Sequence, residues 1–251
     1  MRTLHLRKPS PEALAPWLAD QAKLDFSYAA VGATAAKPPG GFVVDRTRME
    51  LGRGEAAFHA ATAALKRWEQ FQLGWVDVWS PKTPLEVGQV VAVLGWAVGF
   101  WWLNCCRIVY TVDEAGPLTR FGFAYGTLPG HVERGEERFL VEWDRGTDQV
   151  FFDIMAFSQP NHLLTRLGYP FVRLSQKRFG RDSATAMYRA VQSELSSQSS
   201  SHSSSQVTSR SSSGGGREPA ANPAAVRRDS TTRNDVVFRR DGIPAILQST
   251  E

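Results

Sequence analysis

Glu137-Arg138-Phe139-Leu140-Val141-Glu142-Trp143, followed after Asp144-Arg145-Gly146-Thr147-Asp148 by Gln149-Val150-Phe151-Phe152-Asp153-Ile154-Met155-Ala156-Phe157, decides the fold. Two aromatic and aliphatic runs flank a turn of Asp, Gly and Thr, which predicts a pair of antiparallel strands. Directly afterwards the apolar period changes from two to helical. Leu164, Leu167, Phe171, Leu174 and Arg178 share one face, and Met187 and Val191 continue it. Pro170 falls inside this stretch and is expected to bend or divide the helix. Working backwards, strands are predicted at Thr119–Leu128, Arg107–Val112, Gln89–Leu94 and Trp75–Trp79, joined by short Pro-, Gly- and Asp-containing turns as a meander. Before them, Gly54 to Trp68 is alanine-rich, with Phe58, Ala61, Leu65 and Trp68 at helical spacing, and Gly41 to Leu51 alternates as a strand. Pro11 to Ala22 predicts a short helix with Ser10 as cap and Pro11 in first position.

The fold class is therefore α+β, a curved antiparallel sheet wrapped against a long C-terminal helix. Such a sheet has one apolar concave face that a single helix can cover, leaving room for a cavity between them. Residues 1–40 form an N-terminal helix and extended segment packed on the domain, and 41–195 form the domain itself. Residues 196–251, rich in Ser and Gly, bury too little apolar surface to offset the entropy of ordering and are expected to be disordered. Apolar patches at Val236-Val237-Phe238 and Ile243 to Leu247 make that tail a candidate docking segment for a protein partner.

Composition narrows the function classes. The chain has 251 residues, 8 Trp, 14 Phe and 5 Tyr, enough to fill a core without metal or disulfide staples. A formal net charge of +4 lacks the density that drives binding to nucleic acid. The most apolar run, Val90 to Leu103, is shorter than a membrane span and contains Gly95 and Gly99, so it reads as buried strand and turn. No apolar run follows the basic N-terminus, and the adjacent Cys105 and Cys106 would point to opposite faces of a strand. A cytoplasmic, reducing location is expected.

Phe26-Ser27-Tyr28-Ala29-Ala30-Val31-Gly32-Ala33-Thr34, Cys106-Arg107-Ile108-Val109-Tyr110, and the block from Phe123 to Phe139 resemble a family of bacterial and plant proteins known only as a domain of unknown function, DUF1990. The resemblance covers roughly residues 10 to 190. The end of the domain, Ala156-Phe157-Ser158-Gln159-Pro160 leading to Pro170, Arg173 and Gln176, is similar to the closing strand and helix of the START-like, or helix-grip, superfamily. That resemblance implies a cavity between sheet and C-terminal helix that accepts an apolar small molecule, such as a lipid or aromatic compound.

The candidate site residues are Tyr125, His131, Glu133, Glu136, Arg107 and Tyr28. Pro129-Gly130 predicts a hairpin tip on which His131, Glu133, Glu136 and Glu137 fall close together, and a histidine beside carboxylates can hold a charge or act as a base. Tyr125 adjoins that tip. Arg107, beginning an apolar strand, needs a carboxylate or carbonyl partner, Glu136 or Asp153 for example, or else anchors an anionic ligand group. One histidine and two glutamates match no closed zinc spacing, so no metal is expected. Gly52-Arg53-Gly54 lacks the rest of a dinucleotide fingerprint, and neither a phosphate loop nor a Gly-x-Ser-x-Gly elbow occurs in the folded part, so no cofactor is expected. The leading functional expectation is a hydrophobic small-molecule binder. The alternatives are an enzyme with His131 and Glu133 or Glu136 as acid and base, and an interaction scaffold acting through the tail.

Overall fold

Eight strands follow from the alternating runs: β1 (Leu4–His5), β2 (Val43–Arg53), β3 (Val76–Trp79), β4 (Val90–Ala97), β5 (Phe100–Glu114), β6 (Leu118–Thr127), β7 (Glu133–Asp144) and β8 (Gln149–Pro160). The computed structural model describes residues 3–161 and 169–209, with side chains placed for 3–161 and 170–199. The strands join one antiparallel sheet in the order β2-β8-β7-β6-β5-β4-β3, and β1 adds to β5 beside Trp101 and Trp102. Register shifts in β2 after Glu50 and in β5 after Ile108 mark bulges, which bend and twist the strands that carry them. Three α-helices complete the described chain: α1 (Pro11–Gln21), α2 (Gly54–Lys66) and α3 (Tyr169–Ser209).

Alternation divides the sheet into two apolar faces. The concave face presents Ile108, Phe123, Tyr125, Phe139, Val141 and Phe152 to α2, to the short turn Glu69–Phe71 and to Ala184, Met187 and Val191 of α3. Ala57, Ala60, Ala61 and Ala64 line the buried side of α2, so its backbone approaches the strands closely. Trp68 and Phe71 fill the space beyond, each fully buried, and burial of one such side chain contributes about 1.5–3 kcal/mol. The helix-grip arrangement expected from the order of elements is the one observed.

The convex face carries a second core. Leu14 and Leu18 of α1 pack on Ala92, Leu94, Leu103, Cys105 and Leu128. Cys105 faces this core and Cys106 the concave one, both buried and unbridged, as adjacent positions on a strand require.

The structure changes several expected boundaries. β5 begins at Phe100 and not at Arg107, because β4 and β5 continue pairing to the turn at Val98-Gly99. β7 begins at Glu133 and not at Glu137, with consequences for the site. Pro170 stands in the first turn of α3, where a missing N–H costs nothing, and does not divide it; Leu164 and Leu167 lie outside the described residues. The first compact unit runs to Ser197, and of the second the described part is helical residues 198–209. Helix thus extends past the expected boundary near Leu195. Once nucleated, each added residue gains a hydrogen bond, and the Ser196 and Ser197 hydroxyls donate to the Gln192 and Glu194 carbonyls. The tail from residue 210, with both apolar patches, lies outside the described residues.

Candidate functional site

Because β7 is already strand at Glu133, its acids alternate between faces instead of sharing a hairpin tip. Glu133 and Glu137 fall on the concave side with Phe139, whereas Glu136 falls on the convex side. The concave pair meets Tyr125, whose hydroxyl donates to Glu137 Oε2 at 2.7 Å. Gln176 of α3 donates from Nε2 to Glu133 Oε1 at 2.6 Å and to Ser158 Oγ at 2.9 Å. Arg173, one turn earlier on α3, donates to Gln176 Oε1 and grips both oxygens of Asp45 on β2, with Nη2 2.6 Å from Oδ1. Strands β2, β6, β7 and β8 and the start of α3 thus converge on one polar patch at an end of the concave face.

Aromatic rings wall that patch. Tyr125 lies 5.4 Å from Phe139 and 6.1 Å from Phe71, and Phe179 of α3 lies 5.4 Å from Phe71. In this setting burial pushes the Glu133 carboxyl up to about 7, against the pull of Gln176 and Arg173. Burial also pushes Glu137 up to about 7, and the neighbouring Glu133 and Asp45 add to the rise. The Tyr125 phenol is raised well above its ordinary value by burial and by the Glu137 charge. Near neutral pH the two glutamates therefore change protonation state, so the patch can hold or pass a proton.

On the convex side Glu136 is buried and saturated. Its Oε2 accepts from the Tyr28 hydroxyl and the Gly32 N–H, each at 2.6 Å, and its Oε1 accepts from the Thr34 N–H at 2.9 Å and from the Thr34 hydroxyl. Burial and this carboxylate acceptor drive the Tyr28 phenol far above its ordinary value. The segment from Tyr28 to Thr34 is thereby fastened to the outside of the sheet. Beside it, Asp153 receives Arg46, Arg48 and Arg138, while Glu142 receives Arg48 and Arg120. Burial works against charge at Glu142, but the two guanidiniums outweigh it and hold the carboxyl below its usual range.

The six expected residues are therefore not one constellation. Tyr125 and Glu133 come together on the concave face, and Tyr28 and Glu136 bond to each other on the convex face. Arg107 meets neither Glu136 nor Asp153. Its guanidinium donates to the Ala22 and Leu24 carbonyls at 2.7 Å each, just past the end of α1, and lies over the Phe26 ring. His131 sits in the turn before β7, where its Nδ1 accepts the Glu133 N–H at 3.0 Å. Asp45 carries no signal in the sequence, Glu137 is expected at the tip but not among the six, and Ser158, Arg173 and Gln176 enter the sequence reading only through the helix-grip resemblance. Carrying the period-two pattern back from Phe139 through Glu137 to Glu133 would have separated the inner acids from Glu136.

The concave face beside the patch is packed with rings, and two recesses among the described residues lie elsewhere and open to solvent. One, of about 450 Å³, lies between Arg67, Glu69 and Gln72 and the Ala186–Ser197 stretch of α3; the other is bounded by Gly41, Arg134, Gln159 and Pro160. The concave face, among the described residues, is lined by packed rings and ends in this polar patch. Among the described residues no group of three His, Cys, Asp or Glu is placed to hold a metal ion, and no helix is long and apolar enough to cross a membrane.

Comparison with known proteins supplies a family. A UPF0548 protein of Dictyostelium discoideum is 39% identical over 206 residues, covering 74% of this chain and 95% of that one. A UPF0548 protein of Deinococcus radiodurans is 38% identical over 197 residues, covering 74% and 97%. Among solved structures, human STARD10 is similar at 10% identity with a TM-score of 0.39, covering 74% of this chain and 80% of that one. Residues 27–186 match the model of the domain of unknown function DUF1990, a span that includes both the Glu136 clamp and the polar patch. On that match and these relatives, the chain belongs to the DUF1990 family, whose curated relatives carry the name UPF0548.

Proposed function

We propose that the domain binds a small molecule with an apolar body and a hydrogen-bond-donating, preferably cationic, head at the polar end of the concave face. One observation carries this reading: Glu133 and Glu137 are set among aromatic rings with carboxyls raised to about 7. A core built only for stability gains nothing from half-buried acids there, since apolar residues of similar volume would cost less. Tyr125 and Gln176 orient the acids, Arg173 neutralises Asp45, and the remaining negative potential faces the guest. An acid–base role is also supported by carboxyls that titrate near neutrality; it would fall to Glu133 and Glu137 on the concave face, with His131 beside them in the preceding turn.

Two probes with the same chain and opposite heads, decylamine and decanoate, test the reading in a titration of the full chain. Decylamine is expected to bind more tightly by at least about tenfold at pH 8, the difference one charged contact supplies. Affinity for the amine should weaken from pH 8 to pH 6 as the two carboxyls take up protons. Equal affinity for both probes, or amine binding unchanged in a folded Glu133→Gln/Glu137→Gln double variant, would remove the site.

A further inference from the structure

We infer that the β4–β5 hairpin is a membrane-anchoring tip that inserts into a bilayer containing anionic lipid. From Leu94 to Asn104 the sequence Leu94-Gly95-Trp96-Ala97-Val98-Gly99-Phe100-Trp101-Trp102-Leu103-Asn104 has no charged side chain. At its end Trp96 is 49% exposed, Val98 70%, Phe100 39% and Leu6, arriving from β1, 79%. Among the described residues four of the exposed large hydrophobics occupy this one corner of the sheet, twice as many as the Phe171 and Leu174 pair on α3.

Three features favour a bilayer over a flat protein partner. Trp96 pairs with Trp101 on one face of the ribbon, and Phe100 and Trp102 lie on the other, so apolar side chains clothe both faces. A docked edge or face needs only one apolar side, whereas an immersed tip needs both. The turn itself points the same way. Val98 and Gly99 have φ of 54° and 78°, the two left-handed positions of a tight hairpin, for which Asn-Gly is the folding preference. A β-branched residue is disfavoured there, so the turn keeps an apolar apex at the expense of backbone comfort. Finally, the charges next to the tip begin with cations. Arg7 follows Leu6 in an exposed position, and Lys8 lies over the Trp101 ring while pairing with Asp77. Tryptophan and cations at the shoulders of an apolar tip suit the headgroup layer of an anionic membrane.

Sedimentation of the full chain with phosphatidylcholine vesicles, with and without phosphatidylserine, tests the inference. The chain is expected to sediment with the anionic vesicles and to be released by salt in part. Val98→Asp should weaken binding by at least about tenfold, and Val98→Asn severalfold. Because Asn suits the turn, Val98→Asn should keep or raise the melting temperature, which separates loss of the tip from loss of the fold. Absence of vesicle binding, or binding indifferent to both variants, would overturn the inference. So would light scattering that shows a dimer broken by Val98→Asp with no lipid dependence, since the occupant would then be a second copy of this chain.

Discussion

Glu136 shows how much one residue's direction decides. Its carboxylate collects donors from Tyr28, Gly32 and Thr34, so the acid serves as an internal tether for a segment with no regular structure of its own beyond the short turn Ala33–Ala35. Removing one partner of a buried charge leaves the rest unsatisfied. Glu136→Gln, which turns an amide toward those donors, is expected to destabilise the domain by about 2–4 kcal/mol in urea unfolding. Tyr28→Phe should cost less, about 1.5–3 kcal/mol, and the double variant should fall short of the sum because the two share one bond. Gly126 belongs to the same device. A Cβ there would meet the Tyr28 hydroxyl at 2.1 Å, so Gly126→Ala should release Tyr28 and reproduce much of the Tyr28→Phe loss. Additive losses in the double variant would show that the tether is not the source of the stability.

At the scale of elements, the helix-grip contact rests on a few positions of α3. Ala184, Met187 and Val191 enter the concave core, and Gln192 donates to the Leu51 carbonyl at 2.7 Å. Gly180 lets the helix approach β2, since a Cβ at that position would lie 2.5 Å from the Thr47 hydroxyl. Met187→Ala is expected to cost about 2–5 kcal/mol through the cavity it leaves. Gly180→Val should lift the start of α3 from β2 and disturb the Arg173–Asp45 and Gln176–Glu133 pairs together. A drop in decylamine affinity out of proportion to lost stability would place the start of α3 in the site; an affinity that follows stability alone would confine it to the fold. The hairpin between β4 and β5 works at this scale too, because its lipid-facing surface exists only when both strands reach the Val98-Gly99 turn.

The whole molecule's response to pH follows from opposed groups. Glu133 and Glu137, raised to about 7 by burial, bind protons more tightly in the folded chain than in the unfolded one. Stability should therefore fall as pH rises from about 5 to about 8, by on the order of 2 kcal/mol after allowance for their partial solvent access. Glu142, held low by Arg48 and Arg120, contributes stability above the ordinary carboxylate range that is lost in stronger acid. Urea midpoints should peak near pH 5, and Glu137→Gln should flatten the decline and exceed the wild type at pH 8. A midpoint that rises between pH 5 and pH 8 would contradict the assigned environment of the two acids.

What the sequence determined by itself is the order of elements. Alternation in Glu137–Trp143 and Gln149–Phe157, the alanine-rich stretch of α2 and the helical spacing after Pro170 are local patterns, and local patterns survive without knowledge of the partner strand. The adjacency of Cys105 and Cys106 likewise foretold that they face opposite ways. Tertiary structure alone decided which acids meet. Glu133, Glu136 and Glu137 sit within a few residues of one another, but a strand beginning four residues earlier than its apolar pattern sends Glu136 outward to Tyr28 and the others inward to Tyr125 and Gln176. Asp45 and Arg173 lie far apart in the chain, and nothing local marks them as a pair until β2 and α3 pack. Whether space remained between sheet and helix was also beyond the pattern, because side-chain volumes fill an interior only once the closing distance of the helix is known.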